Sequence, residues 1–192
     1  MIYLLIGFVC TFTVNANGDE SVTDNVETAI VLSGAMPIIR YRAFIYQDYL
    51  VVEAKHEKEW HSYAIDNEKR ALTALKGRAS LGIEKGTAFE LPESVQTDGP
   101  WLQPSPKDFS KPEIRWYTYG FDGTVYFARK IKNSDQPFSL KITGQACSGD
   151  LCRSINVELA PSRPEFDASQ VKEMTDVMNT LKAVKSDDSK AP

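Results

Sequence analysis

The 192 residues include only three cysteines and two histidines. No run reaches the ~18 consecutive apolar residues of a membrane-spanning helix. No cluster of lysine and arginine stands out. The formal net charge is −4, from 22 Lys and Arg against 26 Asp and Glu. The electrostatic footprint of a nucleic-acid binder is missing, so nucleic acid is excluded as a partner. No internal repeat is present, so the chain is not an array of small units. With two histidines, the one metal set that spacing allows is His56 and His61 with Cys147 and Cys152. An exported dithiol tends to oxidise rather than hold zinc, so no metal is expected and no cofactor is implied.

What is present suffices for a core. The composition is 42% apolar and 25% charged, which suits one domain with tails. Ile2 to Val9 is an apolar run of signal-peptide length, and the small residues of "VNA" offer cleavage after Ala16. Residues 1–16 are therefore expected to be a signal peptide, although the basic segment that usually opens one is missing. The expected location is periplasmic or otherwise exported. Cleavage would remove Cys10 and leave two cysteines where disulfides persist. The polar, acidic residues 17–30 read as a flexible leader, and the mature chain is expected to have no membrane span.

From there the pattern is strand-like. Segments 41–47, 49–56, 60–65, 79–84, 87–92, 124–131, 138–146 and 153–160 are rich in β-branched and aromatic residues. Phe138, Leu140 and Ile142 alternate with Ser139, Lys141 and Thr143. Short strands at this spacing predict an all-β sandwich over residues 31–163. Segment 97–123 carries Pro100, Pro104, Pro106 and Pro112 and reads as a long loop over the sandwich, since proline cannot donate to a ladder. Its Trp101, Leu102 and Phe109 favour a packed role. Val171, Met174, Met178, Leu181 and Val184 recur at spacings of three and four, which predicts an amphipathic helix over 164–186. Asp167 followed by Gln170 resembles a capping box. That helix is expected to lie on the sandwich or act as a spacer. Residues 187–192 read as a disordered tail.

Cys147 and Cys152 flank a Ser-Gly-Asp-Leu turn between two expected strands, in "GQACSGDLCRS". A bridge across a hairpin is feasible if the Cα atoms come within about 7 Å. As a staple it would close a very short loop, worth about 2 kcal/mol, less than a bridge between distant strands. The position suits access better than stability. Spacing alone leaves a redox pair, a staple and a metal site open.

"TGQACSGDLCRSINVELAP" resembles the cysteine hairpin of the N-terminal periplasmic domain of the thiol:disulfide interchange protein (DsbD) family. Upstream, "EWHSY" (59–63), "FELPESV" (89–95) and "EIRWYTYGFDGTVYF" (113–127) resemble further stretches of that domain, in the same order over about residues 45–160. The resemblance implies an immunoglobulin-like β-sandwich. It implies a protein-disulfide oxidoreductase module that takes electrons from a membrane donor and passes them to thioredoxin-like periplasmic proteins. It makes Cys152 the attacking thiol and Cys147 the resolving one. "KDFSK" (107–111) matches the family's cap segment, so Phe109 is the expected cap with Asp108 beside it. Tyr63 and His61 match the aromatic positions that face the pair. Arg153, next to Cys152, is expected to favour the thiolate modestly. Arg153-Ser154 replaces the family's proline-rich step, and Gly144 stands where an aromatic often precedes the glutamine. The alternative reading is an immunoglobulin-like binding module whose hairpin disulfide is purely structural.

Overall fold

The structure is a computed structural model that describes residues 27–132 and 136–184. The expected signal peptide and the expected tail lie outside the described residues, as does the leader before residue 27. Among the described residues the strands are β1 (Thr28–Ser33), β2 (Met36–Tyr46), β3 (Tyr49–His56), β4 (His61–Tyr63), β5 (Ala88–Glu90), β6 (Gln96–Gln103), β7 (Lys107–Asp108), β8 (Tyr119–Asp122), β9 (Thr124–Lys132), β10 (Leu140–Ser148), β11 (Leu151–Leu159) and β12 (Lys182–Ala183). The helices are α1 (Asn67–Leu75) and α2 (Ala168–Thr180). One sheet runs β1-β2-β3-β9-β6-β12. The second runs β11-β10-β4-β8-β7, with β5 also pairing β10. The fold is an all-β, immunoglobulin-like sandwich.

The core lies between the sheets and follows the two-residue period. On β10, Leu140, Ile142 and Ala146 point inward and are fully buried. They share the core with Phe127 and Phe121, whose rings cross edge to face at 5.5 Å, and with Trp101, whose ring lies tilted against Phe89 at 4.3 Å. Burying a ring such as Phe127 completely contributes about 1.5–3 kcal/mol.

β2 and β3 break the alternation, because the first sheet is covered on both faces. Phe44, Val51 and Ala128 form a second buried cluster on its outer side with Met174 of α2, and Val177, Met178 and Phe166 pack around them. The chain reaches that face through Ser162, whose carbonyl accepts from Ile45 N at 2.7 Å and whose N–H donates to Ala43 O at 3.2 Å. α2 starts at a true capping box. The Asp167 carboxylate accepts from Ser169 N and Gln170 N, and Asp167 N donates to Gln170 Oε1 at 2.7 Å. Such a cap contributes about 1 kcal/mol. Tyr46 then ties the helix down, donating its hydroxyl to Val171 O at 3.2 Å.

Four expectations need correction. Residues 28–30, assigned to the leader, belong to β1. The C-terminal helix covers Ala168–Thr180, not 164–186, and Lys182–Ala183 pairs with β6 instead. Segment 79–84 is not a strand. It follows the unpredicted α1, and side chains bind its polar groups in place of a neighbouring strand. Finally, the expected 97–123 loop opens with β6, a strand internal to its sheet. Its register with β9 breaks between Asp98 and Leu102, and that break holds Gly99 and Pro100. The missing proline donor therefore costs no ladder bond.

Candidate functional site

β10 and β11 join through Gly149 and Asp150 alone, since Ser148 pairs directly with Leu151. Gly149 has φ +56°, the left-handed value a two-residue hairpin asks of its first turn residue. One step inward, Cys147 lies opposite Cys152 with Cα atoms 4.1 Å apart, and the two are joined in a disulfide. Because Ala146 points into the core, its neighbour Cys147 points to the outer face of the second sheet, and Cys152 with it. The two sulfurs differ in access. Cys147 is fully buried, while Cys152, on the edge strand, is partly exposed.

On the side of Cys147 away from Cys152 stands β4, and the segment after β6 packs on it. β4 flanks β10 on the side away from β11, and His61 sits directly opposite Cys147. Tyr63, two residues on, shares that face and is fully buried. The Tyr63 hydroxyl lies 3.2 Å from His61 Nε2. Phe109 stacks on the imidazole with ring centroids 4.5 Å apart and planes 18° from parallel. The structure thus brings Cys147, Cys152, His61, Tyr63 and Phe109 to one place. Asp108 stands apart from them. It is exposed, and its carboxylate accepts from Ser110 N at 2.9 Å within its own turn.

The Phe109 segment is short and anchored at its base. β7 pairs with β8, Lys107 opposite Gly120 and Asp108 opposite Tyr119. Phe109 N donates to Thr118 O at 3.0 Å. Buried Asn67, at the start of α1, holds the return strand. Its Oδ1 accepts from Tyr119 N at 2.7 Å, and its Nδ2 donates to Glu84 O at 2.8 Å. Trp116 Nε1 donates to the Glu84 carboxylate at 2.5 Å. Asn67, Glu84 and Trp116 thus support the Phe109 segment, and the sequence reading missed all three. Their pairing joins residues up to 52 positions apart, and no local pattern announces it.

Burial lowers the pKa of His61 from its ordinary value, with Asp122 acting in the opposite direction. The ring is therefore neutral near pH 7. Burial also lowers His56, against smaller opposing effects from Gly123 O and Asp122. Burial, reinforced by nearby Glu84, pushes the Tyr63 hydroxyl well above the usual phenol range. An open cleft of about 500 Å³ adjoins the site, with Trp60, His61, Phe109, Asp122 and Gly149 in its wall.

The histidines do not converge as a ligand pair. His56 places Nδ1 2.7 Å from Gly123 O and Nε2 2.8 Å from Ser62 Oγ. Ser62 faces the interior, whereas adjacent His61 faces outward. Arg153 also departs from expectation. It follows Cys152 on the strand and so projects from the opposite face, where Nε donates to Ser33 Oγ at 3.2 Å. Its Nη1 also donates to the Cys152 carbonyl at 3.1 Å, so the guanidinium bridges the first hairpin and the backbone of the cysteine strand.

No family model matches this sequence, and no curated protein matches it. Among solved structures, the chain is similar to the N-terminal domain of DsbD from Neisseria meningitidis in its reduced form. The TM-score is 0.46 with 12% identity, covering 66% of this chain and 86% of that one.

Proposed function

We propose that this chain is a thiol:disulfide oxidoreductase module that exchanges electrons with thioredoxin-like proteins through Cys147 and Cys152, in an exported setting. The unequal access of the two sulfurs carries the reading: a disulfide at a hairpin end, one sulfur partly exposed on an edge strand, the other fully buried beside His61, on which Phe109 stacks. In the reduced chain the Cys152 thiolate attacks a partner disulfide, forming a mixed disulfide and releasing one partner thiolate. Cys147 then attacks Cys152 Sγ, and the second partner thiolate leaves. Two electrons pass to the partner, and Cys147–Cys152 is restored as a disulfide. Phe109 is the movable cap, shielding the pair until a partner docks in the adjoining cleft. Asp108 belongs to that cap segment and, being exposed, meets solvent or a docked partner. No described helix is long and apolar enough to cross a membrane.

A binding module with a structural staple is the second reading, favoured by the complete burial of Cys147. Equilibration against glutathione buffers separates the two. A relay pair is expected to have a reduction potential above about −300 mV, and a staple to lie below it. A value below that mark would overturn the redox reading.

A further inference from the structure

We infer that His61 is the proton acceptor for the Cys147 thiol in the resolving step, an assignment that rests on the exchange reading above. Cys147 is fully buried in the disulfide form, away from bulk water, and the resolving step requires its thiol to lose a proton. His61 is its cross-strand neighbour on the same face of the sheet. When Nε2–H of His61 donates to the Tyr63 hydroxyl, 3.2 Å away, Nδ1 carries the free lone pair. Before a partner docks, the stacked Phe109 fixes the plane of the ring.

The proton balance closes. Cys147 S–H passes its proton to the imidazole, and the new thiolate attacks Cys152 Sγ. The bond from Cys152 to the partner's sulfur breaks, and the departing thiolate takes the proton from the imidazolium.

The groups around the ring leave it suited to that task. Tyr63 on β4 stays protonated, held there by burial. Asp122, opposite His61 on β8, favours the imidazolium but is shared with Lys107 of β7 in an ion pair. His56 on β3 opposes a second positive charge. Asp108 on the cap segment is turned to Ser110 N. Glu57, Lys58 and Glu59 line the cleft with mixed sign. Lowered by burial, His61 is neutral near pH 7 and able to accept.

The test uses the reduced full chain mixed with 5,5′-dithiobis(2-nitrobenzoate). One coloured thiolate leaves when Cys152 is captured, and a second leaves when Cys147 resolves the adduct. His61→Phe keeps a ring for Phe109 to stack on but cannot accept a proton. The second release should slow roughly 10-fold or more, while the first stays within about twofold. Between about pH 6 and pH 8 the wild-type second release should level off, while that of the variant keeps rising with hydroxide. His61→Tyr, which keeps the bulk and a polar tip, should behave in the same way and carries the test should the Phe variant misfold. If both variants keep the wild-type second release and its pH profile, the assignment is overturned. Absence of the first release in the wild-type chain would instead sink the exchange reading itself.

Discussion

In a chain carrying Cys147→Ala, a mixed disulfide between Cys152 and a thioredoxin-like protein should accumulate. In one carrying Cys152→Ala, it should form about 100-fold more slowly. Exchange needs three sulfurs nearly in line, so the rate depends on how closely a foreign disulfide can approach. Cys152 lies on β11, the outermost strand of its sheet, and is partly exposed. Cys147 lies on the next strand inward, between Cys152 and His61, with no exposed surface. Removing Cys147 deletes the group that would release the partner, so the adduct persists. Both variants should stay folded, because this disulfide closes a short loop worth about 2 kcal/mol. Intact mass measurement after mixing each variant with the oxidised partner reads both outcomes. Equal trapping by the two variants would remove the assigned roles.

Gly120→Ala should cost about 3 kcal/mol or more, read as a fall in the denaturant midpoint. Gly120 sits on β8 between Tyr63 of β4 and Lys107 of β7. A Cβ there would lie 2.1 Å from Ser62 O and 3.1 Å from Ser62 C. Those atoms are backbone, so no side-chain rotation relieves the clash. β8 has to move away from β4, taking β7 and the Phe109 segment with it. The same substitution should therefore speed alkylation of Cys147 in the reduced protein. Unchanged stability would mean that the close crossing of β4 and β8 does not position the cap.

The strands most legible from residues alone are those with one wet face. On β10 the inward Leu140 and Ile142 alternate with Lys141 and Thr143, and the observed strand follows that pattern. β3 was legible for a different reason: its apolar run is continuous because α2 and Phe166 cover its outer side. β6 was hidden by Pro100 and the prolines that follow the strand, since the register break that accommodates Pro100 is set by β9 and leaves no local mark. α1 was hidden among charges. Its apolar contribution to the interior is Ala71 and Leu75, and its main task is done by the polar Asn67. The cysteine hairpin was read with its turn. The pairing of His61 with Cys147 needs strand order, because the two are brought together by β4 joining β10 across the intervening strands β5 to β9.

Rapid mixing of the reduced chain with an oxidised thioredoxin-like protein, quenched with acid and read by mass, tests electron transfer most directly. The expected result is two-electron exchange: Cys147–Cys152 becomes a disulfide and the partner a dithiol, about 100-fold faster or more than with glutathione disulfide. A chain that stays dithiol while its partner stays oxidised would contradict it.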